Sequence, residues 1–358
     1  MSPSVLIIGY TTRHVAKSAE CAGYEVYAVD HFCDQDLLWC TKDAIAFDEL
    51  DNVPFIVEEM LSRHEIDCVV TTSGAELLDL PNRLGTDPEV AARFMDKGKT
   101  QEFFESLGVL VPQKLSDGEY PAMMKTLSGA GGWRNAVVCN DAERTRWEEF
   151  VDHEPFMMQE FIAGVSASVS CVGTGNSAKA IAANEQILRG GNAEAYAFSG
   201  SVTPCTHPMT ERMMDIAEEI VAASGCVGSV GVDFVLTDNA LYAIEINPRF
   251  QGTVDTVEAS CGANLFQMHT DACYGILPSV MPKHRQFCVR KILLAPKHLV
   301  LNIDMRKFAG TIADIPHPET VFEKGDIMFS VFGWGKSREE AFISLDKHIT
   351  NTIQYIDI

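Results

Sequence analysis

The chain has 358 residues, 46% of them hydrophobic and 22% charged, the composition of an ordinary globular protein and not of a disordered one. Its length points to two or three domains. A formal net charge of -22 excludes a protein that coats phosphate backbones with clustered Lys and Arg, although a nucleotude-sized ligand held by a few local cations stays open.

Eleven cysteines are scattered from Cys21 to Cys288 with no Cys-x-x-Cys pair, as expected of reduced, mostly buried thiols in a cytoplasmic protein. Ser2-Pro3 leads straight into Val5 to Ile8, without the basic region or cleavage site of a signal peptide. No apolar run is long enough to span a bilayer, so no membrane partner is expected.

Val5 to Gly9 has the look of a buried parallel strand, followed by a helix near Arg13 to Ala22 and a second strand ending at Asp30. A helix near Val53 to His64 and an apolar run from Asp67 to Gly74 continue the alternation, which predicts an α/β domain with a parallel sheet and any ligand at the carboxyl ends of its strands. Tyr10-Thr11-Thr12 after Gly9 breaks the Gly-x-Gly-x-x-Gly phosphate turn, and Asp30 alone does not make a dinucleotide site. From Asp87 to Gly108 the apolar spacing is helical, and Gly108 to Pro112 is expected to return to strand.

A strand then delivers Lys125 ahead of Gly129, Gly131 and Gly132, a turn whose N–H groups can cradle phosphate while the lysine supplies a point charge. A common glycine-rich turn has the same appearance. Phe156 to Gly164 reads as a strand closing on Gln159, Glu160, Phe161 and Ile162, and Val165 to Val172 as its successor; the edge between them suits adenine, or the chain simply passes through a glycine bulge. Arg189 is either a surface residue or a bidentate partner for a substrate carboxylate. A helix spans Thr210 to Ala223, a further one Val257 to Tyr274, and Gly325 to Trp334 reads as a strand or hairpin. The terminal helix starts at Ser337, with Glu340 in the capping-box position.

Between them lies Gly231 to Arg249, two short strands around an Asp-Asn turn signal. Alternation places Ile244 and Ile246 on one face and Ala243, Glu245 and Asn247 on the other. A three-residue loop with Asn239 left-handed sets Asp233 opposite Glu245, whereas a four-residue loop pairs it with Ile244 and turns it away. The first register gathers Asp233, Glu245 and Asn247 as oxygen ligands for a hard cation such as Mg²⁺. Polar residues facing solvent are the alternative.

The order of these pieces resembles the ATP-grasp carboxylate-amine (or carboxylate-thiol) ligases, in particular archaeal-type predicted carboligases and more distantly biotin carboxylase and D-alanine ligase. The resemblance runs over most of the chain and rests on Asp96-Lys97, Met-Lys125 before the glycine loop, Gln159-Glu160-Phe161-Ile162 before Gly164, and Asp233 followed by Glu245-Ile-Asn247-Pro-Arg249. It implies an ATP-grasp fold, α/β with an α+β C-terminal part: an N-terminal βαβ domain over 1–94, a small lid over 95–162, and a C-terminal domain over 163–358. It further implies that Lys97, Lys125 and the glycine loop hold ATP phosphates, that residues 159–162 hold adenine, and that Asp233, Glu245 and Asn247 bind Mg²⁺, with Mn²⁺ as a substitute. Arg249 and Lys125 are then the catalytic cations. The implied reaction is ADP-forming: a small carboxylic acid, such as an amino acid, is activated as an acyl phosphate and joined to an amine, as in coenzyme biosynthesis. A bicarbonate-using carboxylase and a non-catalytic ATP-binding regulator are the alternatives. Ser166 stands where many members have a ribose-binding Glu, and the residues after Arg249 lack the Gln-Val-Glu arrangement of biotin carboxylases, which speaks against bicarbonate. Ser73, Glu76, Arg189 and Gln251 are candidate substrate contacts, and a homodimer is expected from the family.

Overall fold

A computed structural model describes residues 2–129, 131–190 and 195–356. The first region alternates strands and helices: β1 (Ser4–Gly9), α1 (Arg13–Cys21), β2 (Glu25–Asp30), α2 (Gln35–Leu38), β3 (Asp43–Ala46), α3 (Val53–Arg63) and β4 (Cys68–Thr71). The four strands form a parallel sheet in the order β3-β2-β1-β4. The apolar run of β1 is continuous because both its faces are covered: Val5 and Ile7 pack toward α1, Leu6 and Ile8 toward α3. Asp30, at the end of β2, serves structure. Its carboxylate accepts from the Thr12 N–H and hydroxyl at 2.5 and 2.9 Å and from the Phe32 and Cys33 N–H groups at 2.8 Å each.

The segment expected as one helix over 87–108 is two, α4 (Pro88–Ala92) and α5 (Lys97–Ser106). Extended backbone at Asp96 interrupts it, and the Asp96 carboxylate caps α5 by accepting from the Lys99 N–H at 3.0 Å. Nor do residues 108–112 form a strand. Val109 N–H turns back to the Phe104 carbonyl.

A three-stranded antiparallel sheet follows, in the order β6-β5-β7, from β5 (Ala122–Thr126), β6 (Ala136–Val138) and β7 (Phe156–Glu160), with α6 (Asp141–Phe150) packed on it. Ala122, Met124, Val138, Trp147, Val151 and Met158 make its own small core. Since Ala122 and Met124 face that core, alternation turns Met123 and Lys125 to the opposite face.

The remaining chain builds β8 (Val165–Thr174), β9 (Ala178–Leu188), β10 (Phe198–Thr203), α7 (Thr210–Ser224), β11 (Val227–Leu236), β12 (Leu241–Asn247), α8 (Val254–Cys261) and α9 (Leu265–Cys273). It ends with β13 (Phe287–Leu294), β14 (Leu299–Leu301), β15 (Ile312–Ala313), β16 (Thr320–Phe322), β17 (Ile327–Gly335) and α10 (Arg338–Ile356). An eight-stranded sheet runs β12-β11-β8-β9-β10-β13-β17-β15, antiparallel throughout its described pairs. The helix expected over 257–274 divides at Gly262, which is left-handed (φ 72°), before Asn264 caps α9. The expected capping box of α10 forms in half: the Glu340 N–H donates to Ser337 Oγ at 3.1 Å, while the Glu340 carboxylate passes over the Ser337 N–H and accepts from the Lys336 N–H at 2.7 Å.

Two kinds of contact lock the first sheet to the large one. Val172 and Ile181 of the large sheet, with α8 and α9, share a core with β1 and α1. Beside it Arg13 forks onto Asp255 with two bonds of 2.7 Å and reaches Asp314 at 2.9 Å, and Arg290 reaches Asp314 at 2.8 Å. Burial alone would raise the Asp314 carboxyl, but the charges of Arg13 and Arg290 outweigh it and hold it below its ordinary value. No helix among the described residues is long and apolar enough to cross a membrane.

Candidate active site

The hairpin of β11 and β12 sets the floor of the site. Leu236 pairs with Leu241, so the loop has four residues, 237–240, closed by the Thr237 N–H and hydroxyl donating to the Ala240 carbonyl at 2.8 and 3.1 Å. Asn239 is not left-handed, contrary to expectation, because the Thr237 side chain does the closing. By alternation this loop would set Asp233 against Ile244. A β-bulge at Ile244 shifts the register by one, and Asp233 pairs with Glu245 after all. The same bulge puts Ala243, not Ile244, on the core face with Ile246.

Asp233 is held on three sides by side-chain amides: Gln186 and Gln251 donate to Oδ1 at 3.1 Å each, and Asn247 to Oδ2 at 3.2 Å. Burial, with the neighbouring Glu245 charge second, pushes the Asp233 carboxyl up to about 7. Gly231 leaves room for this arrangement, since a Cβ there would lie 1.9 Å from the Gln251 amide carbon. Gln186 escaped the sequence reading. Its signal is weak, because only the strand pairing of β8 with β9 and with β11 brings position 186 over position 233.

Lys125 faces this floor from the small sheet. Burial lowers its ammonium to about 8, Lys97 pushes the same way, and Glu245 and Asp233 pull it back. The four charges therefore belong to one electrostatic unit. Lys97 Nζ also donates to the Gly129 carbonyl at 2.6 Å. Gly129, Gly131 and Gly132 all have positive φ, while Ala130 lies outside the described residues. The Gly131 carbonyl accepts from the Phe198 N–H at 3.0 Å, which seats the loop on the start of β10.

Arg249 closes the arrangement on the side of the first sheet. Its Nε donates to Glu76 at 2.6 Å and its Nη2 to Asn247 Oδ1 at 3.0 Å. Glu76 and Arg249 are both largely buried. Gln159 donates to Gln101 at 2.8 Å and Glu160 accepts from the Gln113 N–H at 2.9 Å, while Phe161 is partly exposed beside Tyr196. Ile162 follows outside any strand. Gly164 marks a close approach and not a bulge, as a Cβ would lie 2.4 Å from the Leu236 carbonyl. Ser166 pairs with Val235 in the sheet. Of the remaining substrate candidates, Ser73 accepts from the Tyr10 N–H through its carbonyl at 2.7 Å, and Arg189 donates to the Gly325 carbonyl at 2.7 Å.

Among the described residues no group of three or more His, Cys, Asp or Glu side chains is disposed to hold a metal. The oxygen donors present are the adjacent carboxylates of Asp233 and Glu245, while the Asn247 amide turns its N–H to Asp233 and its oxygen to Arg249. That set suits Mg²⁺, which commonly takes one or two carboxylates and completes its shell with water and substrate phosphates. Burial raises Asp233 most, and the Glu245 repulsion that adds to it is what a divalent cation would relieve.

A large antiparallel sheet, a small sheet presenting a buried lysine above it and a glycine loop between them define the ATP-grasp fold, and the ATP-grasp domain family model matches residues 94–253. The chain carries an ATP-grasp domain. An uncharacterised protein of Methanocaldococcus jannaschii is 27% identical over 353 residues, covering 91% of this chain and 87% of that one. The carbamoyl phosphate synthase large chain of Campylobacter jejuni is 27% identical over 262 residues, but these cover 64% of this chain and 23% of that protein. Among solved structures, biotin carboxylase from Campylobacter jejuni superposes with TM-score 0.74 at 16% identity, covering 97% of this chain and 91% of that one. An L-amino acid ligase from Bacillus licheniformis gives TM-score 0.73 at 16% identity and 98% of both chains. These structural likenesses bear out the expected fold.

Proposed function

We propose that this protein is an ADP-forming carbon-nitrogen ligase that activates a small carboxylic acid as an acyl phosphate and joins it to an amine. The observation that carries the reading is the floor itself, where Asp233 is paired with Glu245 on the hairpin and held by Gln186, Gln251 and Asn247, with the buried Lys125 of the small sheet opposite and Lys97 tied to the glycine loop. Two cations opposite two carboxylates suit a polyphosphate held between them. In this reading Lys97, Lys125 and the N–H groups of the glycine loop bind ATP phosphates, and residues 159–162 hold adenine. Asp233, Glu245 and Asn247 hold Mg²⁺, which would neutralise phosphate charge.

Arg249 then faces the acid, and its guanidinium offsets the charge that builds on the transferred phosphoryl group. Glu76 and Asn247 hold that guanidinium in place. Within residues 95–162 the small sheet and α6 act as the lid over the phosphates, while α5 stays on the large sheet through Phe104; the lid lies between a substrate-holding region over 1–94 and a C-terminal region over 163–358, and its closure would keep water from the acyl phosphate. The likeness to an L-amino acid ligase supports an amino acid as the acid.

The test is incubation with Mg²⁺ and ATP against a matrix of acids and amines. Stoichiometric ADP and phosphate that require one acid and one amine support the reading. Release of AMP and pyrophosphate would overturn it, and so would turnover that needs bicarbonate and no other acid.

A further inference from the structure

We infer that the carboxyl edge of the first sheet is a subsite for a planar aromatic or heteroaromatic ring carried by one of the two substrates, an inference that rests on the ligase reading. Three neighbouring strands, β1, β2 and β3, each run directly into aromatic residues: Tyr10, the pair His31-Phe32, and Phe47. Tyr10 and His31 stack with centroids 4.4 Å apart and planes at 14°. Phe32 stands at 90° to Tyr10 and 84° to His31, with centroid distances of 5.5 and 4.7 Å. Phe47 is 3% exposed and packs behind them, 6.3 Å from Tyr10.

The cluster is preorganised. The Phe47 carbonyl lies 2.9 Å from His31 Nδ1, and Asp30 holds the Phe32 N–H, so both backbone and rings are fixed before anything binds. Yet Tyr10 and Phe32 each stay 41% exposed. They form a two-walled corner in which an incoming ring meets one wall by its face and the other by its edge, the two geometries that aromatic pairs favour. The carboxyl edge of an open parallel sheet is also where such folds take their ligands.

The corner adjoins the reacting centre through short, named contacts. Tyr10 N–H donates to the Ser73 carbonyl at 2.7 Å, and the loop beginning there carries Glu76. Glu76 holds Arg249 at 2.6 Å, and Arg249 holds Asn247 at 3.0 Å. A substrate whose reactive group lies at Arg249 can thus rest its remainder on the rings.

The test uses four probes: benzylamine and phenylacetate, with propylamine and acetate as aliphatic partners. Their binding is measured by saturation-transfer NMR on the full chain loaded with Mg²⁺ and ADP, and ADP affinity is measured separately by calorimetry. The expected result is that one ring probe binds at least about tenfold more tightly than its aliphatic partner, and which one does so assigns the ring to the amine or to the acid. Tyr10→Ala and Phe32→Ala should each erase that preference with ADP affinity unchanged, and Tyr10→Phe should retain it. No ring preference in the parent, or a preference untouched by both alanine variants, would overturn the inference. So would ultracentrifugation showing that the rings are buried between two copies of the chain, with the alanine variants monomeric. Failure of ADP to bind the parent while the ring preference persists would instead overturn the ligase reading and leave the subsite standing.

Discussion

The first sheet and the small sheet both border the site, but they are attached to the large sheet in different ways. The first sheet shares a hydrophobic core with the large one and adds the buried Arg13, Asp255, Asp314 and Arg290 network. The small sheet keeps its core to itself and reaches its neighbours through polar and backbone contacts, Lys97 to Gly129, Gly131 to Phe198 and Gln159 to Gln101. A shared core resists separation, because parting it exposes apolar area at about 25 cal/mol per Å². Polar contacts of this kind can exchange for water at little net cost. One border of the site is therefore built as a wall and the other as a cover.

The contrast can be broken most forcefully at Arg13. Arg13→Ala leaves Asp255 and Asp314 buried with one cation fewer, and the chain should lose about 3–5 kcal/mol in chemical denaturation. A loss under about 1 kcal/mol would remove the wall from the comparison. Trp147→Ala empties the separate core of the small sheet, where the indole N–H donates to the Arg134 carbonyl at 2.7 Å. About 3 kcal/mol of protection should vanish there, read by hydrogen exchange, with the first sheet unchanged. Loss of protection in both regions would show that they fold as one body.

Lys125→Ala tests the charge that the cover contributes. ATP turnover should fall about a hundredfold with the melting temperature held or raised, since the buried ammonium is itself a desolvated charge. For Glu76→Gln, a smaller fall of about tenfold in kcat/KM is expected, because the Arg249 guanidinium keeps its Asn247 contact and loses only its charged partner. An unchanged kcat/KM would separate the wall from the chemistry.

The smallest effect is a pH dependence. The Asp233 carboxyl titrates near 7 in the folded chain against 3.8 for the ordinary side chain, so between these values the folded state binds more protons than the unfolded one. Stability from this group is present in acid and is lost as the pH rises toward 7. Asp233→Asn should flatten that decline and raise the melting temperature at pH 7 by roughly 2 °C or more. Scanning calorimetry between pH 4 and 8 reads it, and an unchanged slope would contradict the burial of a charged Asp233.

Much of the fold was legible because its signals are local. The apolar run of β1, the helical spacing of α7 and the Ser337 cap of α10 each depend on residues within a few positions of one another. The two broken helices carried local signals as well, at Asp96 and at Gly262 with Asn264, and apolar periodicity masked them. Asp233 is more instructive. Its pairing with Glu245 was expected from a three-residue loop; the loop has four residues, and the Ile244 bulge restores the pairing.

By itself the sequence determined the order of the motifs, the strand that carries Lys125 and the glycine loop, because alternation and turn chemistry act over a handful of bonds. Only the tertiary structure decided that Gln186 and Gln251 converge on Asp233, that Glu76 holds Arg249 across 173 residues of chain, and that Arg13 meets Asp255 across 242. Those partners are selected by burial: a charge or amide taken from water must find its complement wherever the packed strands bring one, and sequence distance carries no information about where that is.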